Sequence, residues 1–444
     1  MLIMSNITIR EYAYLRVSQN PPQQNQKMDF AEISQSGFDY LFQLNQELLR
    51  NGQRILKLGR TASEIQVQNF VGVIETPCGT EIEILPKHAD SVEDNDDARA
   101  ILIKILKQVL QLPQRDTGLA SIEKFKVPLT DWFYAQFLDA LQKLYRTGVR
   151  FDYQRVEAEE NFLRGQLHTA QQMRKPLTRQ HQLSIKHDIF TSNRAENRLI
   201  RSCIDVVCKR AKSADLWRTS HEFHLLFSEV PQSTNYREDF KKWKNDRLMS
   251  HYSNIRYWCE LILGNEIPFA VKGINQARSI LFPMEKLFEK YVEIQLSKQL
   301  IKGAKLETQK SSKYLARYCS KDIFNLIPDL AIQYYCEQTK SKKYLILDTK
   351  WKLINSNNIE EKFGIKQSDM YQMFAYNHMY QGHTSDIVLI YPKHKNFQIA
   401  LKPFEFKLHE LLKTGLQPKI WVIPFDLERS ELILDNLMIA GLHS

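Results

Sequence analysis

Apolar and polar positions alternate differently in three parts of this 444-residue chain. Between residues 7 and 87 short runs repeat with a period of two, as half-buried strands do. The clearest are residues 63–68 and 70–74, and Glu81-Ile82-Glu83-Ile84-Leu85-Pro86-Lys87 follows the same rule. Residues 38–50 read as a helix set among these strands, and residues 20–26, rich in Pro, Gln and Asn, as a polar loop. The acidic run at residues 93–97 places carboxylates at the start of a second helix. In it Ile101, Leu102, Ile105, Leu106, Val109 and Leu110 form an apolar stripe opposite Lys104 and Lys107, ended by Leu112-Pro113. Helical spacing returns over residues 130–146, 196–211 and 239–262, which makes the middle of the chain mainly helical.

Beyond residue 280 the pattern changes again. Residues 327–335 predict a strand with Asp329 near its start, because Pro328 is tolerated at a strand's entry and not inside its ladder. Residues 344–351 predict a second strand ending in Asp348-Thr349-Lys350, where the two-residue spacing puts carboxylate and amine on one face. Paired as a hairpin, the strands bring Asp329, Asp348 and Lys350 to one exposed sheet end. Two carboxylates suit Mg²⁺, which binds through one or two acids plus substrate phosphate and keeps several waters. Lys350 is placed to orient or deprotonate the attacking water and to neutralise charge on a phosphate in transit. Upstream, residues 283–292 predict a helix with Leu287, Phe288, Tyr291 and Val292 on its core side and with Glu285 and Glu289 one turn apart. Downstream, Ser368 or Asp369 caps a predicted helix running to Tyr380, with Gln372 and Tyr376 at i, i+4. Strands at residues 386–391, 397–401 and 419–424 and a helix at 404–412 complete the reading.

The order helix, strand, strand, helix, strand and the pair Pro-Asp with Asp-x-Lys resemble the PD-(D/E)xK nuclease core, and Gln-x-x-x-Tyr after it resembles the RecB-like branch. A closer resemblance is to the McrC family, the nuclease subunit of McrBC-type modification-dependent restriction systems. It is carried by Leu287-Phe288-Glu289-Lys290-Tyr291-Val292, Leu347-Asp348-Thr349-Lys350-Trp351-Lys352 and Asp369-Met370-Tyr371-Gln372-Met373-Phe374-Ala375-Tyr376, and outside the core by the Ile-x-Ile-x-Pro-Lys strand at residues 82–87. Glu159-Glu160-Asn161-Phe162-Leu163-Arg164-Gly165-Gln166-Leu167, Gln171-Gln172-Met173-Arg174 and Ala195-Glu196-Asn197-Arg198-Leu199-Ile200 extend it into the middle. The resemblance implies a Mg²⁺-dependent DNA endonuclease that works with, and stimulates, an McrB-like AAA+ GTPase on modified double-stranded DNA. The catalytic set expected is Asp329, Asp348, Lys350, Glu289 and Gln372, with Asp329, Asp348 and Thr349 as metal ligands. A stand-alone RecB-like repair nuclease and a non-cleaving adaptor of the motor are the competing readings.

Composition bounds these expectations. The net charge of +10 favours a polyanionic partner. Six cysteines without C-x-x-C or zinc spacing read as reduced thiols of a cytoplasmic protein, and no apolar run approaches the ~20 residues that span a bilayer. No G-x-x-x-x-G-K-[ST] loop occurs, so this chain is expected to bind no nucleotide, GTP being left to the partner. Lysines and arginines at residues 298–321 stand beside the expected centre, either as phosphate contacts or as a solvated linker. Arg164, Arg174, Arg179, Arg194 and Arg198 are phosphate contacts or internal ion pairs, and Gly165 is expected at a turn. The fold class expected is α/β elements in an α+β whole. It has a β-rich N-terminal region (1–112) for partner docking, a mainly helical middle (113–272) and a C-terminal nuclease core of restriction-endonuclease type (273–444).

Overall fold

The computed structural model describes residues 6–18, 28–50, 52, 54–87, 95–111, 127–244, 246–264, 279–309, 313–336, 340–381, 386–406, 418–434, 439 and 442. The polar loop at 20–26, the start of the acidic run and the expected domain boundaries near 112 and 272 lie outside them. The fold is mixed α+β, in two compact units: Met1–Lys126 together with Phe269–Ser444, and Val127–Pro268.

In the first unit, alternation delivers the strands it predicts. One four-stranded sheet runs Asn6–Arg10, Glu81–Leu85, Phe70–Glu75, Ser279–Pro283, and another Phe30–Ile33, Tyr14–Val17, Glu64–Val67, Leu56–Leu58. The helix Gln35–Arg50 buries Phe38, Leu41, Leu44 and Leu48 against Ile9, Leu15, Ile33, Ile65, Ile82 and Ile84. Ser279–Pro283 comes from far along the chain, yet it pairs antiparallel with Phe70–Glu75. Gly72 makes that approach possible: its φ is 132°, and a Cβ there would lie 2.0 Å from the Ile280 carbonyl oxygen. The helix Asn95–Val109 buries Leu102, Ile105, Leu106 and Val109, with Asp96 and Asp97 in its first turn. Arg99, itself buried, donates to Glu83 at 2.8 and 2.7 Å and to Asp96 at 2.8 Å, fastening the helix to its sheet.

The C-terminal sheet has seven strands among the described residues, in the order Lys305–Thr308, Leu330–Cys336, Ser341–Thr349, Ile387–Pro392, Lys419–Asp426, Phe404–Glu405, with Glu431–Leu432 beside Lys419–Asp426. Its centre reads as continuous apolar runs, because helices cover both faces. Leu287, Phe288, Tyr291 and Val292 of the helix Met284–Leu296 are buried, and Phe288 and Tyr291 pack edge-on to Phe425. Met373 and Tyr376 of the helix Gln367–Tyr376 pack with Ala331, Ile346, Ile387, Leu389 and Val422.

Several sequence expectations are corrected here. Residues 397–401 form no strand, only an isolated bridge between His394 and Phe397, and Phe404–Glu405 is strand where a helix was expected; residues 407–412 lie outside the description. The Gln372 helix starts at Gln367 after Lys366, whose N–H donates to Asp369, so Asp369 sits inside the first turn and not at the cap. It gives way at Asn377 to a π-helical turn, Asn377–Gln381. In the second unit the expected helix at 239–262 is broken: Tyr236–Lys242 stops before Trp243, Asp246 accepts from Met249 N–H at the head of a 3₁₀ turn, Arg247–Tyr252, and Ser253–Leu263 follows.

The second unit also holds the helices Leu129–Thr147, Ala195–Arg210 and Ala214–Leu226, the last not foreseen. Beside its helices stands a three-stranded sheet, Asp152–Glu160, Leu183–Thr191, Gln166–Leu167, in which the first strand is mostly exposed and the second buries Ser184, Ile185 and His187. Gly165 turns the chain there with φ 75°, where a Cβ would meet the Lys186 carbonyl oxygen at 2.4 Å. Arg194 pairs with Asp152 and Glu196, and Arg198 with Asp239, so these two arginines hold the unit together, while Arg164, Arg174 and Arg179 are exposed.

Candidate active site

The hairpin predicted from sequence exists, and its register decides the site. Leu330 pairs with Leu347 in the antiparallel ladder of Leu330–Cys336 and Ser341–Thr349, so Asp329, one residue before, comes to Asp348, one residue after. Ser341–Thr349 continues parallel to Ile387–Pro392, and the Lys350 N–H donates to the Ile390 carbonyl at 2.9 Å, which fixes the chain just past the strand. Asp348 and Lys350 share a face, as their spacing requires.

The sheet end is not exposed, contrary to expectation. Asp348 is fully buried. The Lys350 ammonium lies 2.5 Å from its Oδ2, and Oδ1 receives no hydrogen bond among the described residues. One ammonium on one oxygen offsets only part of the desolvation of that carboxylate. Burial first, then the neighbouring Asp329 charge, pushes Asp348 up to about 7. Asp329 is also raised, by burial and by Glu289. Its Oδ2 accepts from the Thr349 N–H at 2.9 Å and the Thr349 hydroxyl at 3.0 Å, so Thr349 orients Asp329. Burial opposes the Lys350 charge, but Asp348 and then Asp329 outweigh it and hold its pKa above the ordinary lysine value.

The helix residues fall as follows. Gln372 Oε1 accepts from Lys350 Nζ at 3.3 Å, and Gln372 Nε2 donates to the Tyr376 hydroxyl at 2.8 Å, which in turn donates to the Ile327 carbonyl at 2.8 Å. A chain of hydrogen bonds thus runs from Lys350 to the residue two before Asp329. Of the two candidate glutamates, Glu289 is the one whose charge reaches Asp329, whereas Glu285 acts on Glu11. Glu289 accepts from Lys286 at 3.0 Å and from Gln309 at 3.3 Å, and the Gln309 N–H donates to the Asp329 carbonyl at 3.0 Å. Sequence reasoning missed Lys286 and Gln309. Lys286 was visible one turn before Lys290, but Gln309 reaches the centre only because Lys305–Thr308 pairs with Leu330–Cys336, a long-range event with no local signal.

Among the described residues no group of three or more His, Cys, Asp and Glu side chains is arranged to hold a metal. The pair Asp329 and Asp348 nonetheless fits a hard divalent ion, because two neighbouring buried carboxyls raise each other's cost of ionisation and Asp348 Oδ1 has no donor, the environment a cation completes.

Sheet, helices and centre together define a mixed α+β protein with two carboxylates and a lysine brought to one buried sheet end. The chain belongs to the family of the McrBC 5-methylcytosine restriction system component, whose family model matches residues 65–392. Its fold is similar to that in the refined half-complex from the tetradecameric assembly of Thermococcus gammatolerans McrB AAA+ hexamers with bound McrC. There the TM-score is 0.69 and the identity 19%, over 98% of this chain and 100% of that one. The Thermococcus gammatolerans McrBC complex matches with a TM-score of 0.49 and 19% identity, over 66% of this chain and 87% of the other. Comparison with curated protein sequences finds no match. No helix among the described residues is long and apolar enough to cross a membrane.

Proposed function

We propose that this chain is the Mg²⁺-dependent endonuclease subunit of an McrBC-type restriction system, a PD-(D/E)xK enzyme that cuts double-stranded, modified DNA with an AAA+ GTPase partner and stimulates it. The observation that carries the reading is the buried Asp348, its carboxyl raised by burial and by Asp329, with the Lys350 ammonium 2.5 Å from one oxygen. A bound Mg²⁺ would neutralise phosphate charge and acidify water at this point. Asp329, steadied by Thr349, and Asp348 would hold it; Lys350, steadied by Gln372, keeps an ammonium beside the phosphate as water attacks phosphorus and the ester oxygen leaves with a proton. The family match extends upstream to residue 65, well outside this core, which a stand-alone nuclease would not require. We assign docking on the motor to the N-terminal sheets and the middle of the chain, where Phe162, Leu163, Met173 and Leu177 stand 60–87% exposed.

The test combines the purified chain, its AAA+ partner, GTP and Mg²⁺ with methylated and unmethylated plasmid. Cleavage of the methylated plasmid by wild type, lost in Asp348→Ala with partner GTPase stimulation retained, is expected. Equal cutting by Asp348→Ala refutes the site, and stimulation without any cutting by wild type leaves the adaptor reading.

A further inference from the structure

Between Lys305–Thr308 and the Asp329 strand the chain makes a separate two-stranded ribbon, Lys313–Tyr318 paired with Lys321–Leu326. Every residue of its first strand is exposed, and only Ile323 and Leu326 of the second are partly covered. An isolated hairpin is marginal in water, and large apolar side chains on both its faces mark a surface made to meet something. Tyr314, Leu315, Tyr318 and Phe324 are 39–70% exposed. The register places Tyr314, Tyr318 and Lys321 on one face, and Lys313, Leu315, Arg317 and Asp322 on the other. Phe324 adopts a φ of 58°, a left-handed conformation that a bulky residue seldom takes, and its ring is 68% exposed. The base of the ribbon is fastened to the centre. Tyr380 donates to the Leu326 carbonyl at 2.7 Å, and Tyr376, already bonded to Gln372, donates to the Ile327 carbonyl at 2.8 Å, two residues before Asp329.

We propose that this ribbon is a DNA-contacting element, which lies in a groove of the duplex beside the phosphate to be cut. Tyr318 turns its face of the ribbon to the bases with Lys321 beside it on a backbone phosphate, Lys313 and Arg317 reach phosphates from the opposite face, and Phe324, at the irregular position of the ladder, packs against the groove wall. The proposal rests on the nuclease reading above and deepens it. A two-stranded β-ribbon fits the major groove, which is about 12 Å wide. Charge selects the occupant: three cations stand here against one carboxylate, Asp322, which fixes Arg317 through bonds of 2.7 and 3.4 Å. Docking on a second copy about a two-fold axis would set those cations against their own images, whereas DNA neutralises them with release of counterions.

Anisotropy of a fluorescein-labelled duplex with the full-length chain, in Ca²⁺ to prevent cutting, tests this. The Tyr318→Ala/Phe324→Ala variant is expected to bind about tenfold more weakly or worse. Lys313→Ala/Lys321→Ala is expected to weaken binding and lower the slope of log affinity against log salt by about 2. These side chains are exposed, so unchanged melting temperatures are expected. A photoreactive phenylalanine analogue in place of Tyr318 should crosslink to DNA, a readout independent of either variant's stability. Wild-type affinity in both variants, or absence of the crosslink, overturns the proposal. So does a changed sedimentation mass with unchanged DNA affinity, which assigns the ribbon to self-association, or a loss confined to binding the AAA+ partner. Failure of the nuclease reading looks different: the ribbon variants lose DNA while wild type with partner, GTP and Mg²⁺ cuts nothing.

Discussion

Asp348 occupies a position that is costly for a charge: no solvent reaches it, burial and Asp329 push its carboxyl up, and its close partner is the Lys350 ammonium. Replacing it by Asn should abolish cutting without unfolding the protein, since the amide relieves the buried carboxylate charge and keeps an oxygen that can accept from Lys350. Asp348→Asn is expected to lower cleavage below detection and to melt no earlier than wild type in EDTA. Adding Mg²⁺ should raise the melting temperature of wild type by mass action and leave Asp348→Asn unmoved; an equal rise in both would remove Asp348 from the metal site. Lys350→Ala should be nearly as damaging, and Lys350→Arg should not restore cutting, because a planar fork cannot occupy the place of a compact ammonium between Asp348 and Gln372. Glu289 and Gln372 act one step further out, through Asp329 and Lys350. Glu289→Ala should raise the Mg²⁺ concentration needed for half-maximal cutting and Gln372→Ala should slow cutting at saturating Mg²⁺ by about tenfold or more. Full-rate cutting by both across a Mg²⁺ titration would reduce the centre to Asp329, Asp348 and Lys350.

Elements were legible where a local rule governs them. Period two gave the strands Glu64–Val67, Phe70–Glu75 and Glu81–Leu85, apolar runs gave Ser341–Thr349 and Lys419–Asp426, and the stripe on Asn95–Val109 gave its buried face. The short spacing of Asp348 and Lys350 was legible for the same reason. What failed depended on long-range partners: Phe404–Glu405 is strand only because it can pair with Lys419–Asp426, and the turn at Arg247–Tyr252 depends on Asp246 competing as a cap. Glu11, which sequence reading passed over, is the sharpest such case. It lies fully buried beyond the strand Asn6–Arg10 and accepts from the Lys87 N–H at 3.0 Å and from the Trp351 indole at 2.9 Å, just past Lys350. Burial, with a smaller contribution from Glu285, pushes its pKa up to about 8. A raised carboxyl stabilises the fold fully below its unfolded value, and that stability is lost as pH rises through the folded value. Wild type should accordingly lose about 1–4 kcal/mol between pH ~5 and pH ~9 relative to Glu11→Gln, which keeps an acceptor and cannot titrate. Denaturant melts of the two proteins at both pH values check this, and parallel pH profiles would show that Glu11 is ionised in the folded state.

At the scale of the whole molecule, residues far apart in sequence build the first of its two units. Ser279–Pro283 is a strand of the N-terminal sheet, Glu11 bonds Trp351, and Lys104 of the helix Asn95–Val109 donates to the carbonyls of Leu427 and Glu428. These ties were hidden from sequence because each joins positions that no local pattern relates. They change what truncation should do. A fragment beginning near residue 273 retains every candidate catalytic residue, but it loses the sheet that Ser279–Pro283 completes and the partner of Trp351, so it is expected to fail to fold and to bind Mg²⁺ weakly or not at all. Val127–Pro268 is a compact unit with its own aromatic core around Trp132, Phe137, Tyr252 and Trp258, and as a separate fragment it should fold. Circular dichroism and thermal melting separate these outcomes: a cooperative transition is expected for the 127–268 fragment and a broad, weakly structured profile for 273–444. Binding of the folded 127–268 fragment to the AAA+ partner, competed by full-length protein, would then localise part of the docking surface to the middle of the chain. A 273–444 fragment that melts cooperatively and cuts DNA would overturn the argument, since the N-terminal sheets would then be an addition to the nuclease core and not part of what holds it in shape.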